Sequence, residues 1–169
     1  MPVSVNLSLI QFRQKNLVDT LRRIIKESGL SPLLIVAEIT ESAFMKDIEY
    51  TRTTLKELRN TGIAISIDDF GTGYSSLSCL KKFPVDNLKI DMSFVREICK
   101  DADIEAIIAA IITMAKVLNL KTIAEGVETE EQWHRLCFLQ CDITQGFYFS
   151  RPLPAEDCGK LLEQKGVGS

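Results

Sequence analysis

A single histidine, His134, among 169 residues leaves no basis for a Ser-His-Asp triad or a histidine-rich metal site. The five cysteines (Cys79, Cys99, Cys137, Cys141 and Cys158) are odd in number, scattered and without a CxxC pair. They predict neither a disulfide framework nor a structural zinc site, but free buried thiols in a reducing cytosol. Positive charge is scarce: 20 lysines and arginines face 23 aspartates and glutamates, for a net charge of −3 with no basic run. That balance excludes a protein held to a nucleic-acid polymer by bulk charge. Long apolar runs are missing too. The most apolar stretch, residues 104–118, is interrupted by Glu105, Thr113 and Lys116, and residues 1–20 hold no signal-like core. The expectation is a cytoplasmic chain without a membrane segment, whose chemistry rests on carboxylates, amides and lysine.

What remains is an ordinary globular composition, 46% hydrophobic and 25% charged, long enough to bury roughly 70% of the unfolded surface. No low-complexity linker interrupts it, so residues 1–169 read as one domain. Apolar, β-branched runs predict strands over 3–7, 33–40, 63–68, 87–90, 121–124 and, weakly, 142–144. Helical periodicity predicts helices over about 17–28, 44–60, 104–118, after the N-cap residue Thr129 with Gln132 three positions on, and over 155–163. Strands buried on both faces and separated by helices imply a parallel sheet of the α/β class. A doubly wound sheet and a closed barrel both satisfy that alternation.

The strand ends favour the barrel. Asn6 ends VSVN, Glu38 and Glu41 lie in VAEITE, Asp68 and Asp69 end AISIDD, Lys89 and Asp91 flank Ile90, Glu125 ends TIAE and Gln145 follows DIT, at intervals of 20 to 36 residues that suit βα repeats. In a (β/α) barrel the carboxyl ends of all strands converge on one mouth, whereas an open sheet uses only those near its switch point. Several carboxylates and an amide oxygen without His or Cys form a hard-oxygen set suited to Mg²⁺ or Mn²⁺. Adjacent Asp68 and Asp69 can serve two cations if Asp68 bridges, the usual apparatus for in-line attack on a phosphodiester. Gly71 and Gly73 follow these carboxylates and read as a loop over the site.

The segments VNLS, EITES, DDFGTGYSSL, LKID, AEGVE and QGFYFSRP, in this order over nearly the whole chain, resemble the EAL-domain family of cyclic di-GMP phosphodiesterases. The resemblance implies a TIM-type (β/α) barrel with one irregular strand. It also implies hydrolysis of cyclic di-GMP to linear pGpG with two Mg²⁺ or Mn²⁺ ions, often as a homodimer beneath an upstream sensory or cyclase domain. By motif, Asn6, Glu38 and Asp68 resemble ligands of one ion, and Asp68 and Asp69 of the other. Lys89, Glu125 and Gln145 resemble the groups that orient and deprotonate water, with Glu125 also near the metal. Glu41 resembles the anchor of the DDFGTG loop that carries Gly71 and Gly73. The family's first strand, with its Glu-Ala-Leu motif and another ligand carboxylate, has no counterpart here. The barrel is therefore expected to be incomplete, with about six of eight strands, one metal ligand fewer and one pocket wall fewer, either as a fragment or as a truncated product.

The plainer readings differ by residue. Asn6 and Ser8 compete as a helix cap. Asp91 and Ser75 are N-caps or phosphate contacts, and Pro152 a substrate contact. Phe147, Tyr148 and Phe149 suit packing better than guanine stacking. As a whole, the alternative to an enzyme is an inactive relic that binds cyclic di-GMP or a protein.

Overall fold

The computed structural model describes residues 2–44, 47–72 and 80–166; Gly73, Ser75 and Cys79 lie outside them. Six strands, β1 (Val3–Asn6), β2 (Ile35–Thr40), β3 (Ala64–Phe70), β4 (Asn87–Ile90), β5 (Lys121–Ala124) and β6 (Ile143–Thr144), pair in parallel in that order. A doubly wound sheet reverses its order at a switch point. This one never does, so the sheet curls as the incomplete barrel the strand ends favoured. Between the strands run α1 (Leu9–Phe12), α2 (Leu17–Ser28), α3 (Glu41–Phe44), α4 (Ile48–Arg59), α5 (Met92–Glu97), α6 (Ala102–Val117) and α7 (Glu130–Phe138), with α8 (Ala155–Gly166) last. No helix among the described residues is long and apolar enough to cross a membrane.

Alternation along the strands divides the sheet into two unlike faces. On the helix side, Ala37, Ile39, Ile65, Ile67, Leu88, Ile90 and Ala124 are buried, in one cluster with Leu55, Leu58, Val95, Ile108, Ile112, Ala115 and Leu136 from the helices. Each fully buried leucine or isoleucine there contributes about 1.5–3 kcal/mol. The concave face carries Glu38, Ser66, Asp68 and Lys89 instead, so stability comes chiefly from one face and chemistry is left to the other.

Helix starts follow the capping chemistry. Ser8 and Gln11 form a capping box at α1, which settles the choice between Asn6 and Ser8, and Thr129 with Gln132 forms another at α7. Residues 33–34, expected to open β2, lie instead in a 3₁₀ turn led by Pro32. The helix expected over 44–60 divides into α3 and α4, with Asp47 capping the second. The expected burial of all the thiols is also corrected: Cys99 and Cys137 are free but exposed. Each directly follows a residue that turns into the core, Ile98 and Leu136 respectively; within α7 the next position points about 100° away, and Cys99 lies in the turn past the end of α5.

The amino ends of two strands share one device. The Asp86 carboxylate, just before β4, accepts from the Ile65 N–H of β3 at 2.9 Å. The Asp142 carboxylate, just before β6, accepts from both the N–H and the hydroxyl of Thr122 in β5 at 2.8 Å. Partial burial works against the Asp142 charge, but the two Thr122 donors outweigh it and hold the carboxyl below its ordinary range. A depressed folded pKa makes the ionised form the stabilising one, with the contribution lost as pH falls through it. Asp142→Ala is therefore expected to cost about 1–2 kcal/mol in urea unfolding at pH 7. The gap from the parent should close as pH drops below about 4; a gap independent of pH would assign the effect to something other than the carboxylate.

Candidate active site

Adjacent residues of a regular strand point to opposite faces, so Asp68 and Asp69 can share a site only if β3 is irregular. It is. The β3–β4 register runs Ser66↔Asn87 and Ile67↔Leu88, then resumes at Phe70↔Ile90. Two residues, Asp68 and Asp69, thus stand where β4 supplies Lys89 alone, which is a β-bulge. Asp69 adopts φ 55°, and its N–H donates to Asp68 Oδ1 at 3.1 Å. The result is that oxygens of Asp68, Asp69 and Glu125 all lie within 4.8 Å of one another.

Lys89 stands at the centre of the rim. Its Nζ lies 2.5 Å from Glu38 Oε2, 3.0 Å from Asp68 Oδ1 and 2.7 Å from Glu125 Oε1, and its side chain is 4% exposed. These partners come from β2, from β3 and from just past β5, so one ammonium ties together the ends of three other segments. Burial opposes its charge, but the hydrogen bonds to Glu125 and Glu38, with the field of Glu125, prevail and hold the lysine above its ordinary range. Glu125 is pushed up by burial and by the fields of Asp68 and Glu38, against the pull of Lys89. Asp69 is pushed up by burial, Asp68 and Asp91, again against Lys89.

Gln145 donates from Nε2 to Glu125 Oε1 at 2.8 Å. Its place is set by backbone lacing: Gln145 N–H to Ala124 O, Val127 N–H to Gln145 O and Tyr148 N–H to Val127 O, at 2.9, 3.0 and 2.9 Å. The lacing brings residue 146 so close to residue 127 that a Cβ at Gly146 would lie 2.2 Å from the Val127 carbonyl oxygen. On the other flank, Glu41 Oε2 accepts from the Gly71 N–H at 3.0 Å and so ties α3 to the segment after the bulge. Asn6 lies beside Glu38 in the β1–β2 register, on the same sheet face, and is exposed. Asp91 caps α5 through the Ser93 N–H at 2.9 Å, while also bearing on Asp69. Pro152 is exposed. Tyr148 and Phe149 pack against Trp133 of α7, with centroids 5.9 and 6.5 Å away, whereas Phe147 lies beneath the Arg151 guanidinium.

The converging donor set of Asp68, Asp69 and Glu125 is all oxygen and anionic. It fits hard divalent cations such as Mg²⁺ or Mn²⁺ and offers nothing to a thiophilic metal. Residues 1–152 match the EAL domain family. The chain belongs to the EAL-domain family. It is 47% identical over 154 residues to the bifunctional diguanylate cyclase/cyclic di-GMP phosphodiesterase MucR of Pseudomonas aeruginosa, covering 91% of this chain and 22% of that protein. The structure of the MucR phosphodiesterase in complex with cyclic di-GMP superposes with a TM-score of 0.90 at 46% identity, over 93% of this chain and 64% of that one. Klebsiella pneumoniae BlrP1, solved with manganese and cyclic di-GMP, matches with a TM-score of 0.82 at 36% identity, over 89% of this chain and 39% of that one. The chain spans about a fifth of the length of the curated relatives it matches.

Reading the EAL domain from its sequence alone missed two features. One is the bulge, which the Asp-Asp pair at the end of an apolar strand already signalled, since a regular strand would have turned one carboxylate into the helices. The other is the proximity of Asp91 to Asp69, which depends on how α5 leaves β4. Gly146→Ala tests the lacing that carries Gln145. It should lower the melting temperature by several degrees. Gly159→Ala, in α8 with nothing within 4 Å, should be neutral or stabilising by up to about 1 kcal/mol. Equal behaviour of the two variants would mean that the close approach at residue 146 is not required.

Proposed function

We propose that this EAL domain hydrolyses cyclic di-GMP to linear pGpG with two Mg²⁺ or Mn²⁺ ions, in the cytoplasm, as a homodimer beneath a sensory or cyclase domain. The observation that carries this reading is the convergence of Asp68, Asp69 and Glu125 beside Lys89 on one rim. The cyclic di-GMP bound in the MucR structure and the manganese in that of BlrP1 support it from outside the chain. MucR's double activity supports an attached regulatory or cyclase domain.

In this reading Asn6, Glu38 and Asp68 would hold one ion, and Asp68 and Asp69 the other. Bound divalent ions lower the pKa of water and neutralise charge on a phosphoryl group in flight. The chain's own groups do the remaining work. Glu125, its carboxyl raised above the ordinary range, is the group best poised to take the proton of the attacking water. Gln145 fixes the Glu125 carboxylate by its amide N–H. Lys89 supplies the fixed positive charge that phosphorus chemistry needs nearby. The Glu41–Gly71 hydrogen bond fits Glu41 as the loop anchor that the resemblance implies, by which the family couples site to dimer. Asp91, Ser75 and Pro152 are substrate contacts in the same reading.

The test is to mix the chain with cyclic di-GMP and Mn²⁺, following pGpG by chromatography. Asp68→Ala should reduce turnover by about 100-fold or more. Binding of cyclic di-GMP without turnover by the parent chain would replace the enzyme with an inactive relic.

A further inference from the structure

We propose that Lys89 is the resident cation of the carboxylate cluster: its ammonium keeps the site formed when no divalent ion is present, and divalent ions bind in competition with it. This rests on the two-ion reading of the same rim. The first support is saturation. An ammonium has three N–H donors, and the three carboxylates at 2.5, 3.0 and 2.7 Å accept them from three separate segments. The second is overlap. Asp68 and Glu125 belong both to the lysine's partners and to the oxygens that converge for a metal. A +2 ion on those carboxylates therefore shares ligands with a +1 charge that its burial, at 4% exposure, keeps from moving into water. The third is need. Four carboxylates, Glu38, Asp68, Asp69 and Glu125, meet at this rim, and Lys89 is the cation that bridges Glu38, Asp68 and Glu125. Without a counter-charge, that many partly buried anions repel one another and resist assembly.

Lys89 is on this account a positioning residue with an antagonistic side. It preserves the geometry that ions require and sets an upper limit on how tightly they are held. A merely structural lysine would lower metal affinity when removed, because its partners would lose their places. A resident cation would raise it.

Lys89→Met, which keeps the length of the side chain and removes the charge, separates the two. By calorimetry with Mn²⁺ alone, the variant should bind about tenfold tighter or more than the parent. In EDTA it should melt about 10 °C lower, and saturating Mn²⁺ should recover most of that loss. Mn²⁺ affinity that is unchanged or weaker in the variant overturns the proposal. Should the variant not fold in EDTA, the parent chain decides. The Lys89 ammonium of ¹⁵N-lysine-labelled protein should give a protected signal in EDTA that shifts or vanishes on Mg²⁺ saturation. A signal indifferent to Mg²⁺ that binds overturns the proposal. Absence of any Mn²⁺ binding by the parent overturns the two-ion reading along with it. Ions bound as described but no pGpG formed would sink the hydrolase and leave the role of Lys89 intact.

Discussion

Everything at the working rim depends on one buried ammonium. Like charges brought together in a partly desolvated space repel by several kcal/mol per pair at an effective dielectric of about 20, and the strand ends carry four carboxylates there. Lys89 makes that assembly possible by reaching Glu38, Asp68 and Glu125 at once. Its cost of burial is met by three charge-assisted hydrogen bonds, the strongest class available to a side chain. The arrangement depends in turn on the opposite face of the sheet, where isoleucine, leucine and alanine from every second strand position anchor the strands to the helices.

Two irregularities then convert a regular parallel sheet into a site. The bulge in β3 turns consecutive aspartates toward one point. The glycine after Gln145 lets two loop backbones approach more closely than any side chain allows, which seats the amide over Glu125. Both lie at carboxyl ends of strands, where a barrel's loops are free to vary while the strands below are not. Membership of the EAL-domain family and the close superposition on the MucR phosphodiesterase fit a site of this design.

Much of this was legible before any coordinates. The strands over 87–90 and 121–124 and the helix over 17–28 stand where periodicity put them, because apolar alternation and caps such as Thr129 are local signals. The sequential parallel order follows from βα alternation, and the polar strand ends identified the rim. What escaped the reading was in part local punctuation, such as Pro32 and the Asp68-Asp69 pair, and in part geometry that no local pattern encodes. Pro32 takes residues 33–34 out of the strand. Ile24 and Ile107, which fall at apolar helical spacing from Leu21 and Ile111, are exposed at 50% and 43%, since the buried stripe is narrower than the apolar one. That Lys89 rather than any carboxylate is the hub depends on the register of four strands, β2 to β5, a non-local quantity.

The two aspartate clamps at the amino ends, Asp86 on Ile65 and Asp142 on Thr122, lie at the pole of the barrel remote from the carboxylates. Strand alignment is thereby supported at a distance from the carboxylate rim. A change among the rim carboxylates leaves both clamps in place, so its cost falls on the partners that Lys89 loses rather than on the register below. In β3 and β5 the two tips are fastened by different means, a carboxylate on a backbone N–H at the amino end and the Lys89 ammonium on carboxylates at the other, so neither fastening relies on the other.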